Sequence, residues 1–435
     1  MTRKQLMISM SDLPYHLGLK MRIYPSSQQK KIIAINCGVS RSVYNKLIAI
    51  NSELMQLRKT GIYIKTIAER IETLELRKKN LSKYYSYMSV KEVDSLTIAQ
   101  AKLNYNAAWS MFKKIHSSGV PKYHKKGVSD SYQTSCIYTT DNKKKGNCTP
   151  FTGSVRFLDT KHVQLPKLGR IRISGSSYQK ILAHNPNFRI GTATIKCDAS
   201  GYYLSLQIGD VVPFVNLKPK AGKVTGIDLN TDNFLTDSYG NVVDNPRYYR
   251  KSLKRLKKLQ RQMARRQVRA KKEGRKLAES RNYQKSRLQA ARLHQHVKNQ
   301  RENFLQKLST AYINNHDVVV LEDLRGKNLM KNHALAMSIA DVGWSNFQKM
   351  LEYKAGLYGK KYIEVDKCNT TQRCSNCGSI MGHNGYPKLT LKDREWNCPI
   401  CKVHHIRDYN AALNILEKGI AKLEEEEKTI IPYKN

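Results

Sequence analysis

Four cysteines stand in two pairs, Cys374-x-x-Cys377 and Cys398-x-x-Cys401, with 20 residues between the pairs. Each pair puts two thiolates on one tight turn, and Gly378 is placed to let the first turn close. Two such turns supply the four sulfur ligands of a zinc ribbon. All four positions are cysteine and none is left for water, so the expected Zn²⁺ is structural. Redox chemistry is the rival use of C-x-x-C, but it needs only one pair. His404 and His405 are expected beside the metal or at the surface. Cys37, Cys136, Cys148, Cys197 and Cys368 are scattered and expected to be inert.

Seven residues after Cys401, Asp408 opens the helical-looking DYNAALNIL. Two other acids close apolar runs: Asp228 ends KVTGID, and Glu322 ends the VVVLE of DVVVLEDL. Each has an ordinary reading when taken alone. Asp228 reads equally as a metal ligand and as a turn aspartate before Asn230, Glu322 as a ligand or a simple strand end, and Asp408 as an N-cap. Glu322 and Asp323 are strand neighbours and should point to opposite faces. Together the three acids suit phosphodiester hydrolysis with two divalent cations, which needs converging carboxylates and favours Mg²⁺. Asp, Glu and Asp on a first strand, a later strand and a final helix is the pattern of ribonuclease H-like nucleases.

These acids need a sheet to hold them. KVTGIDLNTDNFLTDSYGNVV reads as three strands joined by turns, DVVVLEDL as a buried strand, SNFQKMLEYKAGLYG as a helix and KKYIEVD as another strand. That alternation predicts an α/β sheet domain interrupted by the cysteine insert. Ahead of it, HLGLKMRIYPS reads as a strand and residues 27–114 as helices. Short strands then run to about residue 212 with the spacing of a small barrel or sandwich.

The 435 residues carry 77 Lys+Arg against 34 Asp+Glu, a formal charge of +43. That length suits two to four domains, and that charge calls for a polyanion, nucleic acid above all. Between Arg250 and Arg301 there are 20 Lys+Arg and two acidic residues, while Leu253, Leu256, Leu259 and Met263 keep helical spacing. Gly274 is expected to separate two antiparallel helices there. No apolar run is long enough to span a bilayer, and MTRKQLMISMSDLPY lacks the apolar core of a signal peptide, so no membrane partner and a cytoplasmic, nucleoid-associated location are expected.

The segments GIDL (226–229), VVLEDL (319–324), TTQRCSNCG, CPIC (398–401) and RDYNAALNI (407–415) make the chain resemble the TnpB family, transposon-encoded RNA-guided nucleases related to compact type V CRISPR effectors. LKMRIYPSSQQ, GVPKYHKK, LPKLGRIRIS, YYRKSLKRLKKLQRQMARR and SIADVGWSNFQKMLEYKA extend the resemblance, in order, over most of the chain. Asn230 departs from a frequent Gly and is expected to touch no acid. The resemblance implies a multidomain α/β protein. Its parts are a first wedge-domain strand (1–26), a helical recognition domain (27–118), a wedge β-barrel (119–213), a linker (214–220) and a RuvC domain with long basic helices (221–367). A zinc-ribbon insert binding target nucleic acid (368–403), the last catalytic helix (404–420) and a charged tail (421–435) follow.

By the same resemblance, Asp228, Glu322 and Asp408 are the RuvC catalytic acids of a Mg²⁺-dependent endonuclease. Its guide RNA comes from the transposon end and pairs with double-stranded DNA beside a short flanking motif; the element's transposase is a functional partner. Base pairing then carries most of the specificity, and the protein reads duplex shape. Expected nucleic-acid contacts are Arg41, Tyr44, Asn45, Gln100, Asn104, Lys122, Tyr123 and Lys125 in the first half, and Lys254, Lys257, Arg261, Arg265 and Arg266 on the basic helix. A solvated face is the ordinary use of such residues. Rival functions are a nuclease-silent RNA-guided repressor, a DDE-type transposase and an inactive RNA-binding protein.

Overall fold

The computed structural model describes residues 9–60, 65–115, 118–230, 232–323, 341, 343–383, 385–390 and 392–430. The first residues of the N-terminal stretch, Leu324 of DVVVLEDL, the start of SIADVGW and the end of the tail lie outside the described residues. Two compact units divide the chain at Phe214/Val215.

In the first unit, β1 (Tyr15–Tyr24) leads into the helices α1 (Ser27–Lys59), α2 (Lys65–Lys79), α3 (Leu81–Tyr84) and α4 (Ser95–Lys114). Ser26 and Gln29 of the PSSQQ stretch form a reciprocal capping box that starts α1. The helices pack around Val43, Leu47, Leu54, Leu74 and Leu81. The strands β2 (Asp130–Ser135), β3 (Arg156–Asp159), β4 (His162–Leu165), β5 (Gly169–Ser174), β6 (Arg189–Asp198) and β7 (Gly201–Asp210) follow, with the short helices α5 (Thr140–Lys145) and α6 (Ser177–His184) between them. They join β1 in the antiparallel order β2-β6-β7-β1-β5-β4-β3. Ile137, just after β2, and Ser154, just before β3, meet. The Ile137 N–H donates to Ser154 Oγ at 2.8 Å, and the Ser154 N–H donates to the Ile137 carbonyl at 2.9 Å. The seven-stranded antiparallel sheet is of the kind expected for a small barrel or sandwich.

The second unit is built on β8 (Val224–Leu229), β9 (Asn233–Asp237), β10 (Val242–Asp244), β11 (Val318–Glu322) and β12 (Lys361–Val365), ordered β10-β9-β8-β11-β12. The first three strands are antiparallel to one another; β8, β11 and β12 run parallel. This is the ribonuclease H-like arrangement. Between β10 and β11 run α7 (Tyr248–Lys272) and α8 (Arg281–Asn315), and α9 (Trp344–Tyr358) precedes β12. Gly274, at φ +63°, lies at the end of α7, where the Arg275 N–H closes on the Ala270 carbonyl at 2.9 Å. The insert strands β13 (Glu395–Asn397) and β14 (His404–Ile406) pair with each other, and α10 (Arg407–Ile430) ends the described chain. Among the described residues, no helix is long and apolar enough to cross a membrane.

The two sheet faces are covered differently. Ile227, Leu229, Val319 and Leu321 face Leu305, Ile313, Phe347 and Leu351 of α8 and α9. Val320, Ile363 and Val365 face Ile415 of α10. Helix α10 lies unusually close: a β-carbon on Gly226 would collide with the Ala412 carbonyl and come within 2.6 Å of the Leu416 nitrogen. One on Gly419 would come within 2.6 Å of a Val320 methyl. Backbone cannot step aside as a side chain can, so Gly226→Ala should lower stability by about 1–3 kcal/mol or more. Urea unfolding followed by tryptophan emission checks this; an unchanged midpoint would mean that α10 is free to shift.

Candidate active site and zinc ribbon

Strand parity decides which acids meet. Ile227 and Leu229 face α8 and α9, so Gly226 and Asp228 face α10; on β11, Val319 and Leu321 face the first layer and Val320 and Glu322 the second. Asp408, in the first turn of α10, completes the group. Asp228 is only 7% exposed, and its carboxyl is held well above the ordinary range. Burial is the main cause, followed by the charges of Glu322 and Asp408, with Arg407 and a hydrogen bond from Asn230 opposing. Asn230, expected to touch no acid, therefore does touch Asp228, because it follows two residues on at the same strand end. Glu322 is also raised, mainly by burial, while the Thr370 hydroxyl donates to its Oε1 and pulls the other way. Arg407 donates to Asp408 Oδ1 through Nε at 3.2 Å and a terminal nitrogen at 3.1 Å. Arg394 lies 3.7 Å from Asp408 Oδ2 and pairs with Asp232.

The three predicted acids therefore share one electrostatic neighbourhood, from three elements far apart in sequence. They are hard oxygen donors, two of them destabilised as anions by burial, and this donor set fits a divalent cation. Among the described residues, the one group of three or more His, Cys, Asp or Glu with all ligand atoms within 4.8 Å of one another is the four cysteines. The direction of the Asp228 shift sets a pH dependence. The native chain keeps a proton that the unfolded chain releases, so metal-free stability should fall as pH rises through the raised Asp228 value. Asp228→Asn should lack that loss; urea midpoints of both proteins at pH 5 and pH 8 measure it, and equal slopes would contradict the assignment.

The cysteines form a compact ribbon. Cys374 and Cys401 sulfurs lie 3.6 Å apart, as do those of Cys377 and Cys398, close to the roughly 3.8 Å edge of a zinc–sulfur tetrahedron. The Gly378 N–H donates to the Cys374 carbonyl and the Lys402 N–H to that of Cys398, both at 2.9 Å. Both residues sit at positive φ, +77° and +61°, so each knuckle has the same turn and only the first uses glycine. Burial raises the Cys374 thiol to about 12, whereas the Ser379 hydroxyl, 3.1 Å from Cys377 Sγ, lowers that thiol. A bound cation would hold the buried sulfur as thiolate. His405 is buried with Nε2 3.0 Å from Cys374 Sγ and its ring 4.7 Å from Trp396. His404 is more exposed, with Nε2 3.6 Å from Glu395. Cys398→Ser should bind less than a tenth of the zinc of the wild type by elemental analysis, with Trp396 emission shifting to the red. Full zinc content in the variant would exclude the four-sulfur site.

Several residues tie the ribbon to the acids and carry no motif of their own. Thr370, 2% exposed, holds Glu322 through its hydroxyl, and its carbonyl accepts from Asn414 Nδ2 at 2.9 Å. Asn410 and Asn414, both fully buried on α10, donate to the Arg373 carbonyl at 2.8 and 2.7 Å. Arg373 also pairs with Glu417. The one sequence signal was two asparagines four apart on an otherwise apolar helix face.

The expected nucleic-acid contacts divide by environment. Tyr44 is buried, stacked 4.0 Å from His124 and edge-on to Tyr105, so its ring packs inside the unit. Asn45 clamps the His124 backbone with bonds of 2.9 and 2.8 Å, and Arg41 pairs with Asp130. Arg41, Asn45 and the half-exposed Tyr123 nevertheless line one recess of 390 Å³. Gln100 donates to Ser135 at 2.6 Å, and Asn104 to Gln133, which donates on to Thr194. Gln100, Asn104, Gln133 and Thr194 line an uncharged polar recess where α4 meets the sheet. Lys122 and Lys125 are exposed, as are Lys254, Lys257, Arg261 and Arg265; Arg266 instead bridges to Asn282 and Ser286 of α8.

Comparison with known proteins agrees with this architecture. Residues 211–333 match a family described as "Probable transposase" (OrfB of IS605), residues 344–415 "Cas12f1-like, TNB domain", and residues 15–60 "Helix-turn-helix domain" of the same OrfB family. Over that last range the structure has β1 and the single long helix α1. The chain is 29% identical over 409 residues to "Putative RNA-guided DNA endonuclease" of Streptomyces pristinaespiralis, spanning 93% of this chain and 89% of that one. It is 25% identical over 421 residues to "Putative RNA-guided DNA endonuclease InsQ" of Escherichia coli K12, spanning 93% of each. The solved "Cas12f1-sgRNA-target DNA complex" aligns over 92% of this chain and 98% of that one, at 14% identity and a TM-score of 0.44, too loose a likeness to argue from. Fold and insert together define a RuvC-type domain carrying a zinc ribbon ahead of its last helix. The family matches and the full-length relatives support a TnpB-like protein.

Proposed function

We propose that the chain is an RNA-guided, Mg²⁺-dependent DNA endonuclease of an insertion-sequence transposon. One observation carries the reading: Asp228, Glu322 and Asp408 converge on one face of a ribonuclease H-like sheet, and Asp228 is buried among like charges. The names of the full-length relatives support the guide RNA and the DNA target. The three carboxylates would hold Mg²⁺, which activates the attacking water and stabilises the leaving oxygen of a phosphodiester.

The remaining work falls to the chain itself. Thr370 fixes the rotamer of Glu322, and Arg407 fixes that of Asp408 through two nitrogens. The exposed lysines and arginines of α7 supply a phosphate-binding face. The uncharged amides and hydroxyls around Gln100 and Asn104 suit base edges better than phosphates, and we assign them to reading the flanking motif. The zinc ribbon is structural, and the chain works in the cytoplasm beside the element's transposase.

The test is co-expression with the flanking noncoding region, sequencing of the bound RNA, and cleavage of a guide-matched plasmid. Cutting should require Mg²⁺ and vanish in Asp228→Ala, Glu322→Gln and Asp408→Asn. Thr370→Val should cost about 10- to 100-fold and Thr370→Ser far less, since serine keeps the hydroxyl. Guide-dependent DNA binding without cutting by the wild type would favour a nuclease-silent repressor. Strand joining without bound RNA would favour a DDE-type transposase.

A further inference from the structure

The second unit has another recess, of 570 Å³, walled by Lys223, Tyr239, Asn241, Asn314, Asn315 and His316. It lies at the far end of the sheet from the acids. Lys223 precedes β8 and His316 precedes β11, whereas Asp228 and Glu322 sit at the other ends of those strands. Five or six extended residues separate the two places, roughly 15–20 Å.

A ladder of rings runs from its wall into the core. Tyr312 lies deepest; His316 stacks on it at 5.5 Å and 19°, and Tyr239 follows at 5.7 Å and 39°. The buried Asp237 anchors the ladder, accepting from the backbone of Tyr239 and Asn241 at 2.9 Å each, from the Asn241 amide, and from the Tyr312 hydroxyl at 3.0 Å. Burial lowers the His316 pKa, so its ring is neutral near pH 7. The last ring, Tyr239, is 52% exposed although its hydroxyl is tied to the Val224 carbonyl at 3.2 Å. A ring fixed at its edge with half its surface in water is a platform for another flat ring.

The surroundings specify that ring's chemistry. Exposed amides of Asn314 and Asn315 stand at the end of α8, Lys223 is the one formal cation of the wall, and no residue lining the recess is acidic. A stacking face, neutral amides and a single ammonium fit a base, its edge and its phosphate. We propose that this recess binds one unpaired nucleotide, stacked on Tyr239, of a nucleic acid handled by the chain. The inference rests on the guided-nuclease reading for its source of nucleotide, which is either the guide RNA or an unpaired DNA strand.

Photo-crosslinking separates these sources. Full-length Asp228→Asn protein is assembled with its copurifying guide and a matched DNA target. In one arm the RNA carries 4-thiouridine; in the other the DNA carries 4-thiothymidine. Peptides containing Tyr239 or Asn314–His316 should carry nucleotide in one arm, and the yield should fall about fivefold or more in Tyr239→Leu but persist in Tyr239→Phe. Cross-links on α7 in both arms with none on these peptides would overturn the inference and leave the guided-nuclease reading intact. Absence of copurifying RNA would overturn both.

Discussion

The approach of α10 to the sheet sets the terms for the second unit. At Gly226 the helix backbone lies where a β-carbon would have to go, and at Gly419 the sheet's Val320 methyls fill the equivalent space. Two glycines on opposite partners permit this contact, and neither has a positive φ to explain it. Such packing leaves α10 little freedom to slide, so the position of its first turn is fixed relative to the ends of β8 and β11. Asp408 can then share a neighbourhood with Asp228 and Glu322 without any direct bond among the three.

That placement is electrostatically unfavourable for the empty fold. Burial and two like charges oppose ionisation of Asp228, and the neighbouring cations compensate incompletely: Arg407 and Arg394 are engaged with Asp408, and Arg394 also with Asp232. The residual cost fits a site organised for an added divalent cation rather than for stability. The ribbon divides the load among softer ligands: burial raises the Cys374 thiol to about 12, hydrogen bonds lower Cys377 and Cys398, and a bound cation would hold all of them as thiolates. In each centre a buried ligand, Asp228 or Cys374, is held protonated by burial, and a cation would favour its charged form.

Much of this was legible from spacing and period. The cysteine pairs announced the ribbon, and the apolar runs of KVTGID and VVVLE gave the strands that end at Asp228 and Glu322; the face those acids occupy came from the packing of the two helix layers. Gly274 marked the end of α7 as expected. The supports were hidden because they are tertiary. Thr370 reaches Glu322 across 48 positions, and Asn414 reaches Thr370 across 44. Nor does composition distinguish Tyr44, whose ring is spent on His124 and Tyr105, from Tyr123, whose ring is free of such a stack and half-exposed. Both are tyrosines close to basic residues in the sequence, and burial separates them.

The position of the ribbon in the chain has a mechanical reading. Strand β14 runs into α10 with no intervening loop, so His405, against the Cys374 sulfur, is three residues from Asp408. The Arg407 N–H donates to the Arg394 carbonyl at 2.8 Å, joining the helix start to the strand opposite. On the other side, Thr370 leads into Cys374 and grips Glu322. The insert therefore enters beside one acid and leaves beside another. Closing its four sulfurs around one ion fixes the two ends relative to each other. An unclosed ribbon would release Thr370 and the first turn of α10 together, so folding of the insert and alignment of the acids are coupled through backbone and hydrogen bonds.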